Sequence, residues 1–296
     1  MKACAPCPRT RVAATPDERM LCAMRHGASA AAKDPHTMPS ELLGERRGSV
    51  LILTIRDPAT RNALSPQVYA AGVEALNTAD ADDAVRCVVL RGDGAHFCAG
   101  GDLHRLAATR TGPPDAVRGN VDRFHAFVLA LRECSKPVIA AVEGHAAGGG
   151  CSLALACDLI IAAAGARFTM SYGRAGLSPD GGGTYHLGQA LPRALVLQML
   201  WLPEPMTAQQ WQTWGLVNAV TGDGQALAEA LAWADRLSRT AGNAVASAKA
   251  LVESVRASTL NEQLDAEREH LVNNLLHDNA GEGLSAFFEK RAPRFR

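Results

Sequence analysis

Three segments carry residue types that could do chemistry, and all three are rich in glycine. HFCAGGDL at 96–103 and EGHAAGGGCSLALACD at 143–158 each follow an apolar run and precede a helical stretch. Glycine lets the backbone approach a ligand closely. The first turn of a helix presents N–H groups that lack an intrahelical acceptor, with a dipole that favours negative charge. Two such turns can aim two amides at one oxygen. Taken alone, either turn reads first as a packing device, in which small residues let a strand and a helix close on each other. No Gly-Lys-Ser/Thr follows either turn and neither spells GxGxxG, which sets aside a Walker loop and a dinucleotide fingerprint.

The third segment, SYGRAGLSPDGGGTYHL at 171–187, places one acid, Asp180, between Pro179 and a run of glycines. In isolation that carboxylate reads as a helix N-cap. GLSPDG is not the GxSxG elbow, which argues against a serine hydrolase built on that plan. His96, His104, His125, His145 and His186 lie in or near the three segments. No pair has HExxH spacing and none has a carboxylate partner visible in the sequence, so they are read as structural or solvent-facing.

The elements that must hold these segments show in the periodicity. SVLILTI from Ser49 predicts a buried strand, SPQVYAAGVEAL a helix behind a Ser N-cap, and VRCVVLRG a second strand ending at glycine. PVIAAVEG, CDLIIAA and RFTM predict further strands, with an Ala-rich helix from Cys151 to Ala156 between the first two. This alternation argues an α/β core. From Leu187 onward the pattern is almost entirely helical, broken at LVNAV, with amphipathic runs over 225–238, 243–256 and 260–276. That region is too apolar on one face to stand alone. The expected organisation is an extension at 1–38, a core at 39–190 and a helical region at 191–296.

Lys plus Arg and Asp plus Glu each total 30, so no overall field recruits nucleic acid or an anionic membrane. The apolar runs are far shorter than the roughly 20 residues that span a bilayer. Eight cysteines in 296 residues make no dense disulfide framework, and Cys87, Cys98, Cys151 and Cys157 sit in apolar or glycine-rich runs, as buried reduced thiols do. A soluble, cytoplasmic protein is expected. Cys4 and Cys7 form a lone CxxC with no second pair, so no metal site is expected. Residues 1–38 carry six basic and three acidic residues without sustained hydrophobic periodicity. They are expected to be disordered, as part of a leader or of a chain that truly starts at Met38.

Five collinear pieces resemble the crotonase, or enoyl-CoA hydratase/isomerase, superfamily: RNALS at 61–65, FCAGGDL at 97–103, KPVIAAVEGHAAGGGCSLALACDLIIA at 136–162, FTMSYGRAGLSPDGGGT at 168–184 and FFEKRAPRF at 287–295. The match runs from about Ser49 to the C-terminus. Within the superfamily the chain looks most like the alternative-type oxepin-CoA hydrolase branch, with phenylacetyl-CoA-pathway isomerases nearby. The resemblance implies a ββα spiral core with a helical C-terminal trimerisation region, assembled as a homotrimer or dimer of trimers. It also implies an acyl-CoA substrate from fatty acid or aromatic catabolism, with coenzyme A as part of the substrate and no tightly bound cofactor.

Carried over position by position, the resemblance implies that Gly101 and Gly149 donate their backbone N–H groups to the thioester oxygen. The two glutamates with which family hydratases add water would fall at Ser152 and Tyr172. A hydroxyl and a phenol are poor general bases at neutral pH, though either can donate a hydrogen bond or hold a water. Asp180 fills the position that family isomerases use for an acid, suited to move a proton between carbons α and γ of an enoyl thioester. Arg61, Asn62, Ala63, Ala99, Gly100, Asp102 and Leu103 resemble the pocket for adenine and pantetheine. Phe287 and Lys290, with Arg291 and Arg294 nearby, match C-terminal positions that reach coenzyme A, often across a subunit boundary. Three activities follow as expectations: an isomerase or hydratase-like lyase using Asp180, a thioester or oxepin-CoA hydrolase, or a catalytically weak acyl-CoA-binding protein.

Overall fold

Apolar residues at both odd and even positions of a strand require cover on both faces, and that requirement shapes this fold. The computed structural model describes residues 40–295. Nine strands occur among them: β1 (Glu41–Arg47), β2 (Val50–Arg56), β3 (Cys87–Gly92), β4 (Val138–Val142), β5 (His145–Ala147), β6 (Leu159–Ala163), β7 (Arg167–Thr169), β8 (Met206–Thr207) and β9 (Ala219–Thr221). The larger sheet has the order β1-β2-β3-β4-β6-β9, antiparallel at the β1–β2 hairpin and parallel elsewhere. The smaller has the order β5-β7-β8.

The connecting helices are α1 (Pro66–Ala81), α2 (Leu103–Thr109), α3 (Pro114–Glu133), α4 (Gly149–Ala156) and α5 (Gly183–Ala190). They are followed by α6 (Arg193–Trp201), α7 (Ala208–Thr213), α8 (Ala226–Ser238), α9 (Gly242–Ser254), α10 (Leu260–Leu275) and α11 (Asp278–Phe288). Leu51, Leu53 and Ile55 of β2, with Val88 and Leu90 of β3, belong to one core beside Val68 and Leu76 of α1 and Phe127 and Leu131 of α3. The alternate residues Val50, Ile52, Cys87 and Val89 face the other way, against Ala226, Ala230 and Ala234 of α8. Alanine at every fourth position lets α8 lie close on the sheet. Each fully buried leucine contributes roughly 1.5–3 kcal/mol through removal of apolar surface from water.

Several strands depart from the sequence reading. β1 holds ELLGERR, whose charges hide its period, yet it pairs along its whole length with β2 and forms the sheet edge, where charged side chains suit a strand with one open side. In the stretch expected to be almost all helix, β8 pairs with β7 and β9 extends the larger sheet beside β6. The break at LVNAV therefore leads into a strand, too short for its period to register. The residues at 1–38, with Cys4 and Cys7, lie outside the described ones.

The described cysteines Cys87, Cys98, Cys134, Cys151 and Cys157 are buried free thiols, and burial pushes Cys98 up to about 12. Among the described residues no helix is long and apolar enough to cross a membrane. α9 is tied to the core by Lys249, whose ammonium donates to Asp158 at 2.9 Å and to the Leu131 carbonyl at 3.2 Å. Beyond it α10 and α11 expose Leu260, Leu271, Leu275, Leu276, Phe287 and Phe288.

Candidate active site

Four short segments run side by side in one direction to build the site. Cys98 pairs in parallel with Ala146, its N–H donating to the His145 carbonyl at 3.0 Å while the Ala147 N–H donates back to the Cys98 carbonyl at 2.9 Å. Gly101 and Gly149 each lie three positions beyond that pairing, so one register carries both glycines forward together. On one flank the Ala99 N–H donates to the Arg61 carbonyl at 3.0 Å and the Leu64 N–H to the Gly100 carbonyl at 2.7 Å. On the other, Ala147 pairs with Thr169 and the Gly148 N–H donates to the Thr169 carbonyl at 2.9 Å, which delivers Tyr172 in the 3-10 turn Ser171–Ala175.

Gly100 has φ +92°, and a Cβ there would meet the Ala147 carbonyl oxygen at 2.5 Å and the Gly149 nitrogen at 3.1 Å. Only glycine fits so close a crossing. The same crossing sets the peptide that bears the Gly101 N–H beside the Gly149 N–H. Gly149 is the first residue of α4, where an amide has no intrahelical acceptor. Among the described residues neither amide donates a hydrogen bond. The pair can therefore offer two donors to a single oxyanion.

Ser152, one turn into α4, is fully buried. Its hydroxyl lies 2.9 Å from the Tyr172 Oη and donates to the Asp180 carbonyl at 2.9 Å. The Tyr172 phenol donates to Asp180 Oδ1 at 2.7 Å. Burial first, and then the Asp180 carboxylate, hold that phenol well above its ordinary range, so it stays protonated and acts as a donor. Small residues make room for the cluster. A Cβ on Gly183 would lie 2.6 Å from Ser152 Oγ, and one on Gly181 would lie 2.4 Å from the Phe124 ring and 3.1 Å from Ser152 Cβ.

The remaining residues singled out by sequence divide into two groups. Arg61 stands exposed and Ala63 buried next to the Gly100 loop, with Ala99 half-buried between them and the glycines. Asn62, at φ +62°, spends its side chain inside the protein: Oδ1 accepts from the Asp57 N–H at 3.0 Å, and Nδ2 donates to the Asp93 and His96 carbonyls at 2.9 and 2.7 Å. Asp102 caps α2 by accepting from the N–H groups of His104 and Arg105 at 2.9 and 3.3 Å, and Leu103 beside it is exposed. Phe287 and Lys290 stand exposed on and just beyond α11, and within one chain the structure does not bring them against Gly101 or Asp180. Arg291 is held by Glu282 at 2.6 and 2.9 Å and by Glu289 at 2.6 Å, and Glu282 also accepts from the Arg294 N–H at 2.6 Å.

Of the histidines, His125 Nε2 accepts from the Gly181 N–H at 3.4 Å, and His96 Nδ1 accepts from the His145 N–H at 3.3 Å. His186 is pushed down to about 4 by burial, then by Arg132 and Arg256. With His125, Val128 and Gly182 it borders a cavity of 1040 Å³ between α3, α5, α9 and α10. His104 is exposed on α2. Sequence reading passed over two aromatics. Phe124 would lie 3.5 Å from a Cβ on Gly149, and Tyr69 packs on Phe124 at a centroid distance of 5.2 Å. Both sit on amphipathic helices, where an aromatic looks like ordinary core.

Comparison with known proteins supplies a frame for this geometry. The family model described as enoyl-CoA hydratase/isomerase matches residues 45–296. The chain is 35% identical over 255 residues to 1,2-epoxyphenylacetyl-CoA isomerase of Escherichia coli K12, covering 86% of this chain and 97% of that protein. It is 34% identical over 257 residues to 2,3-dehydroadipyl-CoA hydratase of the same organism, covering 87% and 99%. A crystal structure of an enoyl-CoA hydratase from Polaromonas sp. JS666 matches with a TM-score of 0.85 and 49% identity over 86% of this chain and 100% of that one.

Proposed function

Since the chain belongs to the enoyl-CoA hydratase/isomerase family and acts on an acyl-CoA thioester, we propose that it moves a double bond along the acyl group by proton transfer through Asp180. The two N–H groups of Gly101 and Gly149 hold the thioester oxygen. The Asp180 carboxylate removes a proton from carbon α, the charge moves onto that oxygen as a dienolate, and the same carboxyl returns the proton at carbon γ. Fixed amides make the oxyanion tolerable, at about 3–4 kcal/mol per donor in comparable sites.

The observation that carries the reading is the hydrogen bond from Tyr172 to Asp180 Oδ1 at 2.7 Å, backed by Ser152. At the two positions where family hydratases carry glutamate, this chain has hydroxyls that bond to Asp180, so the pair of carboxylates that would activate water is missing. Hydrolysis of the thioester meets the same difficulty. Coenzyme A lies along Arg61, Ala63, Ala99, Gly100, Asp102 and Leu103 in this reading. Phe287 and Lys290 reach it from a neighbouring copy in a trimer or pair of trimers.

Asp180→Asn keeps the shape and removes the base. We expect loss of turnover on 3-enoyl-CoA esters with CoA-ester binding retained, measured by product mass beside a colorimetric assay for free thiol. Full activity in the variant removes Asp180 from the chemistry, and thiol release by the unaltered protein transfers the assignment to a hydrolase.

A further inference from the structure

The turn that carries Asp180 has two neighbours. Asp180 itself meets Ser152 and Tyr172, whereas Gly182, two positions on, lines the cavity of 1040 Å³ between α3, α5, α9 and α10. The Gly181 N–H donates to His125 Nε2 at 3.4 Å, and His125 borders the same cavity, so turn and wall share a bond. Gly182 adds no side chain that would narrow the space: a Cβ there would meet His186 Nε2 at 3.2 Å. Across the cavity α9 presents Ala246 and Ala250, one turn apart.

Size and charge decide what such a space can hold. Small-molecule sites run from about 300 to 1,000 Å³, and this one stands at the upper end, far too large for a six-carbon acyl group to fill. The arginine and the lysine on its wall are already matched. Arg132 pairs with Glu253 and, at 4.0 Å, with Asp158, while Lys249 donates to Asp158 at 2.9 Å and to the Leu131 carbonyl at 3.2 Å. Glu133, exposed on the same wall, has no cation of its own among the described residues. A carboxylate entering here would give up water and meet no free guanidinium or ammonium. Val128, Leu129, Ala246 and Ala250 offer apolar contact instead.

We propose that this cavity receives the far end of the acyl group, and that the protein selects large uncharged acyl groups over short ones and over those ending in a carboxylate. The inference rests on the reading of Asp180 as the proton carrier, which sets the acyl group beside this turn.

Saturated esters have no double bond to move, so their binding tests the cavity apart from catalysis. Calorimetry gives Kd for hexanoyl-CoA, phenylhexanoyl-CoA, dodecanoyl-CoA and the mono-CoA ester of the twelve-carbon dicarboxylic acid, in the unaltered protein and in Ala246→Phe and Ala250→Phe, which fill the cavity from α9. We expect the unaltered protein to bind the two larger neutral esters about ten-fold or more tighter than hexanoyl-CoA, and the dicarboxylate ester about ten-fold or more weaker than dodecanoyl-CoA. At least one filled variant should lose the preference for large esters while binding hexanoyl-CoA as before. An unchanged preference in both variants overturns the proposal. So does equal affinity of the unaltered protein for the three neutral esters, or for dodecanoyl-CoA and the dicarboxylate ester. Loss of hexanoyl-CoA binding in both variants would show that α9 shapes the whole site and not its far end, which overturns it too. Turnover of 3-enoyl-CoA esters in Asp180→Asn reports on the catalytic reading separately.

Discussion

At the residue scale, the site turns on which proton each hydroxyl holds. The one hydroxyl proton of Tyr172 is donated to Asp180 Oδ1, which on the proposed reading leaves the other carboxylate oxygen for substrate. Tyr172→Phe removes that donor with little change of shape. The carboxylate would then lose the contact that fixes its orientation. We expect kcat to fall about 10–100-fold with KM nearly constant. An unchanged kcat would reduce Tyr172 to a packing residue. The three glycine-rich segments stand out in the sequence, but alone each reads as a packing device or a helix cap, and resemblance singles out Asp180, Gly101 and Gly149 within them. Resemblance also places Ser152 and Tyr172 at the glutamate positions, but their hydrogen bonds with Asp180 show only in the structure, since contacts between residues twenty positions apart follow no local period.

At the level of elements, the decisive feature is the parallel register that advances the two glycine loops side by side. Four strands of the larger sheet and β7 of the smaller were visible in the sequence, the former as apolar runs because burial on both faces removes polar alternation. β1 was not, for its charges, nor were β5, β8 and β9, each two or three residues long. The crossing at Gly100 makes a sharp prediction. An alanine there would need φ +92° and would place its Cβ 2.5 Å from a backbone oxygen, with no flexible side chain to give way. Strain at such a position costs on the order of 1–3 kcal/mol. Gly100→Ala should lower the melting temperature by several degrees and cut kcat/KM by about 100-fold as the amides separate. Gly94→Ala is the matched control, with φ +69° but open space around it. Equal kinetic effects in the two variants would show that the crossing does not matter.

For the whole molecule, the C-terminal helices pose a question of solvent. Leu271, Leu276, Phe287 and Phe288 are 69, 81, 77 and 75% exposed, large apolar side chains that a neighbouring copy could cover. We expect light scattering to give a trimer or hexamer mass. Leu271→Asp together with Leu276→Asp should yield smaller species with weakened CoA-ester binding, because Phe287 and Lys290 would no longer meet a neighbour. A monomer in the unaltered protein would leave those two residues without a role in the site. The position of Phe124 has a final consequence. The Cε1–Cζ edge of its ring lies against both the Gly149 turn and the Gly181 turn, so on the proposed reading it would act as a spacer between the two amides and Asp180. Such a spacer measures a set distance along the bound chain, so regiochemistry would be decided by one benzene ring that never touches a proton.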